Sequence, residues 1–172
     1  YNFGQKNLVE RFPTETEVKS DVGLAPLALG ALTVGSTVQE MATAYATFAN
    51  DGVFRESRLY TKVYNGDGEL VVDNTQESRK ILSEKTVNYM YYCLYNAANN
   101  GTGGAAIFGG QTIAGKTGTS NDAFDVWFVG YAGDQCAAVW MGFDQPRSLG
   151  RRAQGAGLAL PVWIDYMREA IK

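Results

Sequence analysis

Hydrophobic positions along this chain recur in two periods, and the switch between them divides it. Between residues 37 and 50 the period is helical: Val38, Met41, Ala42, Tyr45 and Ala49 share a face, T-V-Q-E at 37–40 forms a capping box, and Asn50-Asp51-Gly52 ends the run. A second long helix is predicted from its cap at Ser83, through the stripe Val87, Met90, Tyr91, Leu94 and Ala98, to Asn99-Asn100-Gly101. After the glycine-rich stretch 101–110 the period shortens to two. Residues 112–120, 125–131 and 135–143 then read as consecutive strands, the last two joined by a tight Ala-Gly-Asp turn, which predicts an antiparallel meander. Pro161 opens a closing helix carrying Trp163, Tyr166, Met167 and Ala170 on one face. Shorter signals are an amphipathic helix over 5–12 ended by Pro13, a polar loop running to Asp21, and a hairpin of residues 59–64 and 69–72 about Asn65-Gly66-Asp67-Gly68. Helices before and after an antiparallel sheet make the fold class α+β.

Composition narrows the function classes. At 172 residues, 45 % hydrophobic and 19 % charged, the chain has the makings of one domain with a real core. A net charge of -3, with no basic cluster larger than Arg151-Arg152, gives no footprint for nucleic acid. The most apolar run, VGLAPLALGAL at 22–32, is too short to span a bilayer and is interrupted by Pro26. No signal peptide opens the chain, which begins at Tyr1 without an initiator Met and so reads as a piece of something longer, any membrane anchor lying outside it. There is no His, which removes Ser-His-Asp, Cys-His and His-metal chemistry together. A general base must then be Lys, Asp, Glu or Tyr, and no metal or cofactor is expected. Cys93 and Cys136 allow one disulfide or two buried thiols, and their apolar neighbours favour the thiols.

One stretch carries two incompatible motifs. Residues 110–117, GQTIAGKT, satisfy the phosphate-loop pattern G-x-x-x-x-G-K-[ST], while Lys116-Thr117-Gly118 spell K-T-G. A phosphate loop needs a hydrophobic strand before the glycine-rich turn and a helix starting at the Lys. Both flanks disagree: AAIFGG precedes Gly110, the β-prone Thr112-Ile113-Ala114 lies inside the supposed loop, and Gly118 falls where the helix would begin. As a strand the residues make sense. Thr117 and Thr119 face one way and Lys116 the other, Gly118 allows close approach of another backbone, and an edge strand here can pair with an extended peptide. Asp125, just beyond this strand, is a carboxylate that could be catalytic, but turn-adjacent Asp more often bonds local backbone. Trp127, Trp140 and Trp163 are expected in sheet-to-helix packing rather than as substrate stackers, and Tyr89, Tyr91, Tyr92 and Tyr95 in core and rim packing.

K-T-G is not isolated. G-K-T-G-T-S, then D-x-W-F-V-G-Y at 125–131, V-W-M-G-F-D at 139–144 and A-L-P-V-W at 159–163 closely resemble the end of a penicillin-binding transpeptidase domain. LALGALTVGSTVQEMATAYATFANDGV and Gly101-Thr102-Gly103 look like the bifunctional (class A) branch, whose members join a glycosyltransferase to a transpeptidase. The resemblance implies a partial penicillin-binding/serine β-lactamase-like fold, with K-T-G on the strand edging the cleft. It gives Lys116 a part in proton transfer beside a serine, gives Thr117, Gly118 and Thr119 the binding of a D-Ala-D-Ala stem peptide or the β-lactam that imitates it, and gives the Thr119 backbone N–H half of an oxyanion hole. It also implies an extracytoplasmic, membrane-anchored enzyme.

Two family elements are missing from the sequence. No Ser has Lys three positions later, so there is no S-x-x-K nucleophile, and there is no S-x-N; Ser83-Glu84-Lys85 has the wrong spacing and fits a helix cap. Residues 1–172 are therefore expected to be the C-terminal portion of a transpeptidase domain, without a second domain, inactive alone and completed by the N-terminal remainder of that domain. The rivals are a non-catalytic stem-peptide-binding scaffold, a D,D-carboxypeptidase or β-lactamase relative, and, from GQTIAGKT, a nucleotide hydrolase.

Overall fold

The computed structural model describes residues 6, 8–10, 12–13, 18–30, 32–104 and 109–171, with the backbone alone at 12–13 and 18–19. Its centre is the predicted meander. Strands β7 (Ile113–Thr119), β8 (Val126–Ala132) and β9 (Gln135–Met141) pair antiparallel in the order β7-β8-β9. The register runs unbroken from Ile113 opposite Ala132 to Thr119 opposite Val126, and from Val126 opposite Met141 to Ala132 opposite Gln135.

Because strand side chains alternate, each sheet face has its own core. On one face Ile113, Val126, Phe128 and Ala132 pack against Leu160, Trp163, Ile164 and Met167 of helix α4 (Ala159–Ala170). The Phe128 and Trp163 rings meet edge to face with centroids 4.9 Å apart, and the Trp163 indole donates to the Ala137 carbonyl at 3.0 Å. On the other face Ala114 and Tyr131 pack with Leu94, Met90 and Tyr91 of α3 (Glu84–Asn99) and Tyr45 and Phe48 of α2 (Val38–Ala49). The result is three layers, helices on both faces of the sheet.

The helix boundaries follow their sequence signals. Thr37 Oγ1 accepts from the Glu40 N–H at 3.1 Å and Glu40 accepts from the Thr37 N–H at 2.8 Å, so both halves of the capping box form. Ser83 caps α3 by accepting from the Thr86 N–H, which gives the Ser83-Glu84-Lys85 decoy a structural occupation. Pro161 lies in the first turn of α4, where its missing N–H has no helical partner to lose.

Several expectations are corrected. The buried residues of α2 are Thr43 and Thr47, while Val38 and Ala49 are exposed; the Thr47 hydroxyl satisfies itself on the Thr43 carbonyl one turn back at 3.2 Å. Tyr166 is exposed, and Ile164 takes its place in the α4 core. Lys6, Leu8, Val9 and Glu10 are not helical, and Phe12–Pro13 (β1) pairs with Val18–Lys19 (β2); the other positions of the helix expected over 5–12 lie outside the described residues. Cys93 is exposed rather than buried, because it sits on the outer side of α3; Cys136 is half-buried, and both thiols are free. Burial pushes the Cys136 thiol up to about 12, and its S–H approaches the Ala42 carbonyl at 3.5 Å.

Two features lie outside the three layers. The hairpin forms as β4 (Lys62–Tyr64) and β5 (Leu70–Asp73), its turn held by Asn65 Oδ1 accepting from the Asp67 and Glu69 N–H groups, and it stands exposed along its length. Helix α1 (Leu24–Leu29) comes from the apolar run and ends on Gly30 at φ 72, with Leu24 and Leu29 in solvent. Before it, buried Asp21 accepts from the Val9 N–H and from the N–H and hydroxyl of Thr33, which holds its carboxyl below the usual range. Strand β3 (Val53–Arg55) pairs with β6 (Ser78–Lys80) beside α2. No helix among the described residues is long and apolar enough to cross a membrane.

Candidate active site

The candidate site is the outer edge of β7, which no other strand pairs among the described residues. Its backbone is oriented by the ladder. The Ser120 N–H donates to the Asp125 carbonyl at 2.9 Å, extending the register by one pair. In an antiparallel ladder, bonded and non-bonded pairs alternate, so Gly118 and Lys116 bond to β8 while Thr117 and Thr119 turn their N–H and C=O groups outward. Two contacts agree with that phase: the Ile113 carbonyl accepts from Asn99 Nδ2 at 2.9 Å, and the Thr117 carbonyl accepts from Lys116 Nζ at 2.9 Å.

Side-chain placement follows the same alternation. Thr117 and Thr119 share the face of Ile113 and Phe128, whereas Lys116 shares that of Ala114 and Tyr131, is exposed, and curls back along the strand edge. The structure thus gathers Lys116, Thr117 and Thr119 within four residues of one open edge. The Thr117 hydroxyl lies 2.8 Å from the hydroxyl of Thr102, and Thr119 Oγ1 accepts from the Gly155 N–H at 3.2 Å.

Gly118 has a packing reason as well as one of access: a Cβ there would come within 3.2 Å of the Cβ of its cross-strand partner Trp127. Gly155 is more constrained. A Cβ on it would lie 2.4 Å from the Trp127 carbonyl oxygen and 2.7 Å from that of Gly118, so the loop before α4 lies directly on the β7–β8 ladder. Sequence reasoning missed Gly155, since nothing in Gln154-Gly155-Ala156-Gly157 distinguishes it, and took Thr102 only as part of a G-T-G pattern.

Asp125 is committed to structure, although not to backbone through its carboxylate. That group accepts from the Trp140 indole at 2.9 Å and the Ser120 hydroxyl at 3.2 Å, while the Asp125 N–H donates to Ser120 Oγ at 2.8 Å. Trp140 and Trp127 are half-buried neighbours with centroids 6.4 Å apart, and Trp163 is core. The phosphate-loop reading fails on geometry: Ile113 to Thr119 is one continuous strand, so no helix N-terminus stands at Lys116. Two clefts open elsewhere. One of about 450 Å³ lies between α2 and β9, and one of about 760 Å³ lies beside Phe54, Tyr60 and Arg79; neither is lined by β7.

A sheet layered between helices and edged by a K-T-G strand defines a class, the penicillin-recognising transpeptidases and their relatives. The chain belongs to the family described as the penicillin binding protein transpeptidase domain, which it matches over residues 2–163. It is 40 % identical over 154 residues to penicillin-binding protein 1A of Neisseria cinerea, covering 86 % of this chain and 19 % of that protein, and 38 % identical over 148 residues to penicillin-binding protein 1A of Clostridium acetobutylicum. The chain thus spans about a fifth of the length of these relatives. Among solved structures, penicillin-binding protein 1A from Haemophilus influenzae superposes with a TM-score of 0.77 at 25 % identity, over 90 % of this chain and 29 % of that one. Penicillin-binding protein A from M. tuberculosis, solved as an imipenem acyl-enzyme complex, shares the fold with a TM-score of 0.72 at 21 % identity, over 99 % of this chain and 41 % of that one.

Proposed function

We propose that residues 1–172 are the C-terminal portion of a serine-type peptidoglycan D,D-transpeptidase domain and form one wall of its cleft. The observation that carries the reading is the open edge of β7, where the outward amides of Thr117 and Thr119 stand beside two hydroxyls and a lysine. In the reaction a serine hydroxyl from outside this chain attacks the carbonyl of the penultimate D-Ala, terminal D-Ala leaves, and an acceptor amine resolves the ester into the cross-link. Lys116 supports the serine's proton transfer. Thr117 and Thr119 bind the terminal carboxylate of the stem peptide or of a β-lactam, Gly118 leaves that peptide room, and the Thr119 N–H stabilises the developing oxyanion, a contribution of about 3 kcal/mol in comparable sites.

The same reading makes the whole protein a bifunctional synthase with a glycosyltransferase, placed outside the cytoplasm and anchored in the cell membrane by a segment not in these residues. Residues 1–172 alone carry no S-x-x-K and are inactive. The test is incubation of the longer protein with a D-Ala-D-Ala pentapeptide and an amine acceptor. Released D-Ala and a cross-linked dimer are expected, both lost on Lys116→Ala. Binding of the pentapeptide without either product would instead assign the chain to a scaffold that has kept the cleft wall and lost the chemistry.

A further inference from the structure

The two hydroxyls on β7 share an arrangement that neither the K-T-G motif nor its spacing specifies. Each has a polar partner behind it. Thr119 Oγ1 accepts from the Gly155 N–H, and Thr117 Oγ1 lies 2.8 Å from Thr102 Oγ1, at the end of α3. A threonine hydroxyl has one proton and two lone pairs. If Thr117 donated to Thr102, its only proton would be consumed and it would present lone pairs to an anion. If Thr102 donates, the Thr117 proton is free to point at a carboxylate, as the Thr119 proton already is.

Thr102 is built to hold that position. The Gly103 N–H donates to the Ala97 carbonyl at 3.0 Å and the Gly104 N–H to the Gly101 carbonyl at 3.1 Å, folding the turn onto the helix end. A Cβ on Gly103 would meet the Ala98 Cα at 3.0 Å, and one on Gly101 the Ala97 carbonyl oxygen at 3.0 Å, so the turn is as close to α3 as two glycines permit. Asn99 Nδ2 then bonds both the Tyr95 carbonyl at 2.7 Å and the Ile113 carbonyl at 2.9 Å, tying the helix end to the start of β7. Helix end, turn and strand form one unit, and the Thr102 hydroxyl is its contact with the site.

We infer that Thr102 is a positioning residue for carboxylate recognition: its hydroxyl donates to Thr117 Oγ1 and thereby turns the Thr117 proton toward the terminal carboxylate of the stem peptide or β-lactam. This rests on the function proposed above and adds a residue to it. Hydrogen bonds in a chain polarise one another, so the donated bond also makes Thr117 a better donor to the anion.

The test is the acylation rate of the longer protein by benzylpenicillin and by its methyl ester, which lacks the anionic carboxylate. Thr102→Val should slow acylation by the acid about tenfold, the size of one net hydrogen bond, and leave the ester's rate unchanged. Thr102→Ser should restore the acid's rate, and Thr102→Ala, with no added methyl to accommodate, should match Thr102→Val. Equal rates in Thr102→Val and wild type would overturn the inference, as would an equal loss for both compounds, which marks a purely structural role. Thr117→Val separates the two layers of argument. If it leaves the preference for acid over ester intact, the reading of the site itself fails; if it abolishes that preference while Thr102→Val does not reduce it, the positioning role alone fails.

Discussion

The two halves of β7 make opposite uses of one strand. Ile113, Ala114 and Gly115 are buried, with side chains or backbone against helices and the next strand, while Lys116 and Thr119 are exposed and Thr117 and Gly118 half-buried. The first half is fixed by packing: a Cβ on Gly115 would strike Phe128 Cζ and the Val129 carbonyl oxygen, each at 2.8 Å. The second half is fixed by the ladder to β8 and by polar contacts from outside the sheet, at Thr102 and Gly155. A packed, closed half thus anchors an open one, so the strand can expose one stretch of its edge while the rest holds it in place.

Substitutions in each half should separate into two kinds of loss. Lys116→Ala should lower β-lactam acylation of the longer protein by about 10²- to 10⁴-fold, the usual range for a lost proton-transfer group, with stability changed by less than about 0.5 kcal/mol. Stopped-flow acylation and denaturant melts read the two separately. Trp163→Ala, which empties the core beneath the buried half, should cost about 3–5 kcal/mol of stability and affect acylation only through unfolding. Gly115→Ala is a milder version of the same attack. Because most of what its Cβ meets is backbone, the strand pair must shift, at a cost of about 1–3 kcal/mol, and the slope of the denaturant curve should stay unchanged.

The smallest effect is on alkaline stability. Burial holds the Cys136 thiol, the Tyr45 hydroxyl and the Tyr131 hydroxyl up at about 12. The folded state therefore keeps protons that the unfolded chain releases from about pH 8.5 for the thiol and about pH 10 for the phenols. Their contribution is present in full below those values and is lost as pH rises toward 12. Cys136→Ala should flatten the early part of that decline in a pH series of thermal melts. Cys93, exposed on α3, should alkylate before Cys136 does.

Much of this frame was legible in the sequence because its signals are local. The capping box at Thr37, the cap at Ser83 and the Asn65-Gly66-Asp67-Gly68 turn act through neighbours a few residues away and sit where the chain predicts them. The meander was legible for the same reason, since three strands in sequence order need only short turns. Errors arose where tertiary contact overrode pattern. Thr43 and Thr47 were missed as buried because a threonine that bonds its own helix backbone packs like a small apolar residue. Cys93 was misplaced because apolar neighbours in sequence are not neighbours on a helix face. Gly155 and the hydroxyl of Thr102 were invisible for a different reason: each acts on β7 through a contact between segments distant in the chain, 36 residues apart for the first and 15 for the second. The candidate groups Lys116-Thr117-Gly118-Thr119, by contrast, are contiguous in the chain and could be read as a unit.

If these residues supply a cleft wall and its binding groups, as proposed, the nucleophile lies on a serine outside them. The most direct measurement is peptide mapping by mass spectrometry of the longer protein after treatment with benzylpenicillin. One stoichiometric adduct is expected, on a serine outside residues 1–172, with formation slowed by Lys116→Ala. An adduct on any serine within these residues, or no adduct from a folded full-length protein, would contradict it.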